Sequence, residues 1–129
     1  MPTLPMLAKT LVATALAAAA GLAQALDIQP YSDTALAQAQ TAGRAVAVHF
    51  HAEWCTTCKQ QEKSLAALKA EGMDVTVLVA DYDKEKDLRK RLNVRSQSVF
   101  VVFRGTQEKG RIVGETRIER IRDGLKVAL

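Results

Sequence analysis

Runs of apolar residues alternate with amphipathic segments over most of this chain. The apolar runs are short and rich in branched or aromatic side chains, and the first of them is apolar on both faces, a pattern typical of a central strand that is covered on two sides. They are residues 45–50, 75–80, 99–103 and, after a turn containing glycines, 111–113. The pattern therefore predicts four strands, of which the last two form a hairpin.

Between the predicted strands, apolar residues recur at the spacing of an α-helix. A first helix is predicted through residues 35–41, because Ser32 or Asp33 can cap its amino terminus. Residues 26–31, which include a proline, are predicted as a short lead-in before it. Three more helices are predicted at residues 58–70, 84–92 and 116–129. The side chains predicted to face the core from the last helix are Ile118, Ile121, Leu125 and either Val127 or Leu129.

The order of these elements is α β α β α β β α. Strands that alternate with helices are joined by crossovers and pair in parallel, whereas the terminal hairpin adds an antiparallel strand at the edge. The predicted fold class is therefore α/β, with a central four-stranded mixed sheet.

The first 25 residues have the pattern of a cleaved export signal. A short basic start, residues 1–9, precedes an alanine-rich apolar run, residues 11–22, and the triplet Ala23-Gln24-Ala25 has the small-x-small form that signal peptidase reads. We therefore expect residues 1–25 to be removed and residues 26–129 to form the mature domain, in the periplasm of a bacterium. An uncleaved anchor or a buried amino-terminal helix is the alternative interpretation.

Composition and charge argue against other classes of protein. Of the 129 residues, 48% are hydrophobic and 25% are charged, which is ordinary for a soluble globular protein with one core. The net charge of +4 is spread along the chain. The most basic segment, residues 84–91, also contains Glu85 and Asp87, so we interpret it as the solvated face of a helix and expect no nucleic-acid binding.

The residues that can carry chemistry are concentrated between His49 and Lys59. This stretch contains both cysteines, both histidines and the only tryptophan of the chain. A bridge between Cys55 and Cys58 would close too short a loop to stabilise the fold by much, because such stabilisation grows with loop length. The pair is better explained by chemistry, either as a reversible disulfide or as two thiolate ligands for a metal.

An activated cysteine is expected at the start of the helix that follows. There the sulfur of Cys55 would face unpaired backbone N–H groups and the positive end of the helix dipole, and both lower the pKa of a thiol. Its thiolate would attack the disulfide of a partner protein, and Cys58, one helical turn further on, would resolve the mixed disulfide. Trp54 would shield the attacking sulfur and offer a flat surface to the substrate, unless it packs in the core.

Residues 50–59, FHAEWCTTCK, resemble the F-x-A-x-W-C-x-x-C-K signature of the thioredoxin family. The order of elements is also similar to that family from about Asp33 to the end of the chain. A C-x-x-C pair alone is weakly specific, but the tryptophan before it, the lysine after it and its place between strand and helix make the resemblance specific. The resemblance implies a thioredoxin-like, three-layer α/β/α fold and a redox-active Cys55–Cys58 disulfide, with no other cofactor and no metal.

Two positions depart from the pattern of the family, and the first is His49. The family usually has a buried aspartate there, which assists proton transfer at the second cysteine. Since histidine titrates near neutrality, His49 is either the base that acts on Cys58 or a hydrogen-bonded core residue. His51 stands where an aromatic residue is common in the family, and we predict a packing or rim role for it.

The second departure is Ser98, which stands where the family has a cis-proline opposite the cysteines. A cis peptide before a residue other than proline costs about 2.5–4 kcal/mol, so we expect a trans peptide here. The Ser98 hydroxyl could then hydrogen-bond one of the sulfurs. The predicted substrate-binding residues are Trp54, Gln97 and Ser98. The predicted catalytic residues are Cys55, Cys58, Trp54 and His49.

These features predict a periplasmic thiol–disulfide oxidoreductase that acts on protein substrates as a monomer. Reduction is the expected direction, because the small domain has no inserted helical subdomain and Thr56-Thr57 stand where strong oxidants of the DsbA type have a histidine. A reductase outside the cytoplasm needs a membrane thiol transporter of the DsbD or CcdA type as its electron source. The alternatives are a copper-binding or copper-delivery module that uses the same cysteines with a histidine, and a binding module without turnover.

Overall fold

The computed structural model describes residues 2–3 and 26–129 of the chain. Apart from residues 2–3, the predicted leader lies outside the described residues and stays a prediction. The elements of the described part are β1 (Asp27–Pro30), α1 (Asp33–Thr41), β2 (Ala45–His51), α2 (Thr56–Lys69), β3 (Thr76–Asp81), α3 (Lys86–Leu92), β4 (Val99–Arg104), β5 (Gln107–Val113) and α4 (Ile118–Lys126). None of these helices is long and apolar enough to cross a membrane.

The strands form one mixed sheet in the order β1-β3-β2-β4-β5. Strands β1, β3 and β2 run parallel to one another, and β4 and β5 continue the sheet with antiparallel pairing. The predicted α/β class and the mixed sheet are therefore confirmed. Strand β2 lies at the centre of the sheet and is buried along its whole length, so the residues that follow it start from a fixed position.

The sheet has five strands and not the predicted four, because the lead-in joins its edge as β1. Ile28 lies beside Val77 of β3, and the Tyr31 N–H continues the pairing by donating to the Val79 carbonyl. Pro30 has no N–H to donate, but an edge strand tolerates it since one side of the strand needs no partner. A four-residue strand that is half exposed and contains a proline has too little apolar pattern to be recognised in the sequence.

Helices cover both faces of the sheet, so the sheet divides the apolar interior into two cores in place of the one expected from composition. The core beneath α2 and α4 includes Leu65, Leu68, Phe100, Ile121 and Leu125. The core beneath α1 and α3 includes Leu36, Val48, Phe50, Leu88 and Val101. The three-layer α/β/α arrangement is therefore confirmed, and it explains why the central strands are apolar on both faces.

The helix ends differ from their predicted positions by a few residues. Ser32 caps α1, since its Oγ accepts a hydrogen bond from the Ala35 N–H at 3.0 Å. Beyond the end of α4, a tighter final turn brings Ala128 into the core and leaves Val127 and Leu129 exposed. The prediction that Val127 or Leu129 faces the core is therefore wrong.

Candidate active site

The two cysteines lie where the central strand leads into α2. After β2, a turn is closed by the Cys55 N–H, which donates to the Ala52 carbonyl at 3.0 Å. Cys55 and Cys58 form a disulfide, with their Cα atoms 5.2 Å apart. Cys55 is also the residue that caps the helix, because its sulfur accepts a hydrogen bond from the Cys58 N–H at 3.1 Å. The helix therefore begins at Thr56, two residues before its predicted start.

The two sulfurs have different surroundings. Cys55 lies at the amino terminus of α2, where backbone donors and the helix dipole favour negative charge. Cys58 is completely buried, and its sulfur lies 3.9 Å from the Phe50 carbonyl oxygen, an acceptor that suits a thiol better than a thiolate. Both cysteines are buried, and Cys55, which is 4% exposed, is the less buried of the two.

The indole of Trp54 lies on the surface, next to Cys55 in the sequence. Trp54 is 61% exposed, so it does not pack in the core. Its Nε1–H donates to a carboxylate oxygen of Asp83 at 2.8 Å, which ties the ring to the loop after β3. In the same loop, Tyr82 packs against the small buried cluster of Ala52, Cys55 and Cys58. Sequence reasoning missed Asp83 because the pattern around it indicates only a turn.

His49, in β2, is a buried and neutral histidine. Its Nε2 lies 2.8 Å from Oε1 of Gln61, and its ring stacks on that of Phe100 with the centroids 4.1 Å apart. Burial lowers the pKa of His49 to about 4, because a charged ring would lose its hydration, and the hydrogen bond to Gln61 opposes this only in part. Within the described residues no hydrogen bond connects His49 to either sulfur, so its action as a base on Cys58 stays a prediction.

Gln61 connects this histidine to the loop opposite the cysteines. Its side-chain amide nitrogen is buried and donates to the carbonyls of Ser98 and Glu115, each at 3.0 Å. Since the nitrogen faces two acceptors, the amide oxygen faces His49, which therefore donates from Nε2. Sequence reasoning missed Gln61, although a polar residue on the buried face of α2, three residues after a cysteine, is a recognisable signal.

Ser98 lies against both sulfurs. Its Oγ is 3.1 Å from Cys55 Sγ and 3.2 Å from Cys58 Sγ. The described residues contain no cis peptide bond, as expected at this position, and Ser98 has a left-handed φ of +65°. Its N–H donates to the Phe50 carbonyl and its own carbonyl accepts from the Gly114 N–H, each at 2.9 Å. The backbone of this residue is therefore held on both sides.

The other residues singled out in the sequence lie beside this group. His51 is mostly buried, and its Nε2 is 3.5 Å from a carboxylate oxygen of Glu62 but makes no hydrogen bond. Its ring meets that of His49 edge-on, with the centroids 5.8 Å apart, and this placement agrees with a packing or rim role. Gln97 is half-buried and precedes Ser98 in the loop before β4.

The donors available for a metal are few at this site. Residues 2–3 and 26–129 contain no group of three or more His, Cys, Asp or Glu side chains placed to hold a metal ion. Both sulfurs belong to the disulfide, and Nε2 of His49 is bonded to Gln61. The arrangement gives no specific support to the copper-binding alternative.

A mixed sheet whose central strand leads into a helix capped by the first cysteine of a Cys-x-x-Cys disulfide defines the thioredoxin-fold class of proteins. The thioredoxin family model matches residues 28–127. The chain therefore belongs to the thioredoxin family, and the resemblance noted in its sequence is confirmed.

Individual proteins of known structure or sequence are similar to this chain. The crystal structure of Trxlp from Edwardsiella tarda EIB202 has a TM-score of 0.72 and 37% identity, over 77% of this chain and 98% of that one. Thioredoxin H2-1 of Oryza sativa subsp. japonica is 34% identical over 74 residues, which are 57% of this chain and 54% of that protein. The thiol:disulfide interchange protein DsbD of Ralstonia nicotianae is 32% identical over 106 residues, 75% of this chain but 17% of DsbD. The chain spans about half the length of the plant and yeast thioredoxins that it matches.

Proposed function

We propose that this protein is a periplasmic thiol–disulfide oxidoreductase that works by reversible opening of the Cys55–Cys58 disulfide. The observation that carries the proposal is the disulfide itself, placed so that one sulfur caps α2 and the other is fully buried. The capping position favours a thiolate on Cys55 once the bond is reduced. Membership of the thioredoxin family supports the same class of reaction.

We propose that the protein reduces a substrate in two steps. The Cys55 thiolate of the reduced protein attacks a substrate disulfide, so that a mixed disulfide forms and the first substrate sulfur leaves as a thiolate. Cys58 then loses its proton to solution and attacks Cys55 Sγ, which breaks the bond to the substrate and releases the second substrate thiolate. Two electrons pass from the dithiol to the substrate, and the Cys55–Cys58 disulfide is restored.

The residues around Cys55 are the ones we propose to contact the substrate. Trp54 offers an exposed ring that Asp83 holds in place, which suits an apolar segment of a protein. Gln97 and Ser98 lie in the loop before β4. A role of His49 as the base would use Nδ1, because its Nε2–H is bonded to Gln61.

We propose reduction as the direction in the cell. The short connections between α1, β2, α2 and β3 leave no room for an inserted subdomain, which is the feature that favoured a reductase in the sequence. Similarity to DsbD over 75% of this chain supports a link to that system of thiol exchange. The electron source would then be a membrane thiol transporter of the DsbD or CcdA type, and the substrates would be protein disulfides.

Periplasmic location rests on the pattern of residues 1–25, which combines a basic start, an apolar run and a small-x-small triplet. The amino-terminal residue of the protein recovered from the periplasm of an expressing bacterium tests it. Leu26 is the expected first residue. Recovery of the whole chain, uncleaved and in the cytoplasm, would contradict the proposal.

Reduction of insulin by dithiothreitol tests the activity. The wild type should accelerate the precipitation of insulin, and Cys55→Ser should abolish the acceleration because the attacking sulfur is gone. Cys58→Ser keeps the attacking sulfur and should accumulate a mixed disulfide with the substrate. Lys63→Ala, at an exposed position on the same helix, is the control and should react at the wild-type rate.

Two results would reject the proposed activity. One is a wild-type protein that does not accelerate the reaction. The other is an acceleration that Cys55→Ser leaves undiminished, since the Cys55–Cys58 pair would then have no part in it.

A further inference from the structure

The hydroxyl of Ser98 contacts both sulfurs of the disulfide. Its Oγ lies 3.1 Å from Cys55 Sγ and 3.2 Å from Cys58 Sγ. In the described residues no other side-chain oxygen or nitrogen forms a hydrogen bond to either sulfur. A hydroxyl can donate one hydrogen bond and accept others, so this group can interact with a thiolate and a thiol at the same time.

The position of the hydroxyl is fixed by three hydrogen bonds to the backbone of Ser98. Its N–H donates to the Phe50 carbonyl, and its carbonyl accepts from the Gly114 N–H and from the side-chain nitrogen of Gln61. Ser98 is also buried, so water competes little for the hydroxyl. A hydrogen bond to a charged sulfur is stronger in such a place than in water.

The other groups around the sulfurs indicate which sulfur carries the negative charge once the disulfide is reduced. The Cys58 N–H already donates to Cys55 Sγ, and the nearest backbone group to Cys58 Sγ is an acceptor, the Phe50 carbonyl. Negative charge is therefore favoured on Cys55, with Cys58 as the thiol. The neutral ring of His49 supplies no proton to a sulfur from Nε2, because that N–H is bonded to Gln61.

We propose that Ser98 is a catalytic residue whose hydroxyl donates a hydrogen bond to the Cys55 thiolate and accepts one from the Cys58 thiol. This inference rests on the proposed function and adds a group to it. In this chain a serine with a trans peptide and a left-handed backbone places a hydroxyl between the two sulfurs. The hydroxyl stabilises the reduced form of the site relative to the disulfide.

The chemistry balances with two thiols as the reductant. A thiolate attacks Cys55 Sγ, the Cys55–Cys58 bond breaks, and the electron pair leaves on Cys58, which takes up a proton. A second thiolate attacks the sulfur of the bound reductant, a new reductant disulfide forms, and Cys55 leaves as a thiolate. Of the two protons that the reductant thiols lose, one is now on Cys58 and the other is in solution. The Ser98 hydroxyl contacts the leaving sulfur in both steps.

Two variants of Ser98 test this inference. Ser98→Ala removes the hydroxyl and keeps a Cβ, whereas Ser98→Gly removes the hydroxyl and also relaxes the left-handed backbone. Ser96→Ala, at an exposed position of the same loop, is the control. The pKa of the Cys55 thiol is measured from the ultraviolet absorbance of the thiolate, and the redox equilibrium is measured against glutathione.

Both Ser98 variants should raise the pKa of the Cys55 thiol by about 1, because a hydrogen bond to a charged group is lost. The equilibrium constant for reduction by glutathione should fall about tenfold, which is a potential more negative by about 30 mV. The Ser96 control should match the wild type in both measurements. If one Ser98 variant fails to fold, the other decides, since both lack the hydroxyl.

The inference is overturned if the folded Ser98 variants have the wild-type thiol pKa and the wild-type equilibrium with glutathione. A change in Ser98→Ala that Ser98→Gly does not share would also overturn it, because the cause would then be the backbone. Failure of the proposed function is a separate result. If the Ser98 variants change the thiol pKa and the glutathione equilibrium as expected but the wild type does not accelerate insulin reduction, the thiolate contact is supported and the oxidoreductase activity is rejected.

Discussion

At the scale of single residues, the site is held together by polar groups that water cannot reach. The side chain of Gln61 makes three hydrogen bonds, one to His49 and one each to the carbonyls of Ser98 and Glu115. A buried polar group left without a partner costs about 1–3 kcal/mol. The network therefore stabilises the protein only while all of its members are present.

Replacement of Gln61 by leucine should destabilise the oxidised protein. The His49 Nε2–H and the Glu115 carbonyl would lose the partner that the amide provides, and we expect the free energy of unfolding to fall by about 2–4 kcal/mol. Urea denaturation measures this change. Gln60→Leu, at an exposed position on the same helix, should change the free energy by less than about 0.5 kcal/mol. Equal stability of the two variants would show that the network contributes nothing.

His49 should make the stability of the protein depend on pH. Its pKa is about 4 in the folded protein against an ordinary 6.5, so the unfolded chain binds the extra proton below about pH 6.5. The contribution of His49 to the free energy of unfolding should be constant above that pH. At lower pH the free energy of unfolding should decrease, by roughly 2 kcal/mol at about pH 5. Urea denaturation across this range gives the measurement.

Two variants separate the effect of His49 from that of other groups. His49→Gln removes the titrating ring and should flatten the dependence between about pH 5 and 6.5. His51→Gln removes the neighbouring histidine, retains His49, and should keep most of the fall. A wild-type slope in the His49 variant would mean that the loss of stability comes from elsewhere.

At the scale of elements, α4 packs closely on β5 because Gly124 has no side chain. A Cβ atom at this position would lie 2.6 Å from both Cγ1 and Cδ1 of Ile112, a core residue of β5. Glycine inside a helix ordinarily destabilises it by about 0.5–1 kcal/mol relative to alanine. Here the close contact between α4 and β5 needs a residue without a Cβ atom, and this need outweighs the lower helix propensity of glycine.

Gly124→Ala should therefore destabilise the protein although alanine is the better helix former. We expect a loss of about 1–3 kcal/mol in the free energy of unfolding, because Ile112 or the helix must move. Gly110→Ala is the matched control, since its Cβ would meet Val127 Cγ2 at an ordinary 3.6 Å. Thermal or urea denaturation of both variants gives the comparison, and a more stable Gly124→Ala protein would contradict the packing argument.

At the scale of the whole molecule, the direction of electron flow depends on the relative stability of its two redox states. The amino terminus of α2, the Cys58 N–H and the Ser98 hydroxyl all favour the reduced form with a thiolate on Cys55. Burial of Cys58 beside the Phe50 carbonyl does not favour a second negative charge. Because a more stable reduced form makes the potential less negative, these three contacts act against the proposed direction of reduction, and only the measured potential decides the direction.

Equilibration with glutathione measures that potential and tests the proposed direction. A reductase should lie closer to about −270 mV, the value for thioredoxin, than to about −120 mV, the value for DsbA. Thr57→His, which adds the kind of residue that strong oxidants have between their cysteines, should make the potential less negative. A wild-type potential of about −120 mV would mean that the protein oxidises its substrates, contrary to the proposed direction.

The sequence by itself determined the local features of this protein. Apolar runs and helical spacing predicted the four helices, the inner strands and the hairpin, because burial on one face or two leaves a periodic pattern within about ten residues. Residues 50–59 identified the cysteine pair, its tryptophan and the family, and the first helix cap was narrowed to Ser32 or Asp33, of which the structure has Ser32. The short edge strand β1 and the final turn after α4 escaped prediction, since β1 forms by pairing with β3 and the final turn places Ala128 in a core built from distant parts of the chain.

Only the tertiary structure decided how the site is completed. Ser98 contacts Cys58 and Cys55, which lie 40 and 43 residues before it in the sequence. Asp83 accepts a hydrogen bond from Trp54 across a separation of 29 residues, and Gln61 donates to the carbonyl of Glu115 across a separation of 54 residues. Contacts of this kind leave no periodic signal, because they depend on the folded sheet bringing the ends of β2, β3 and β4 together. The sequence supplied the cysteine pair and Trp54, and the fold supplied the hydroxyl, the amide and the carboxylate that complete the site.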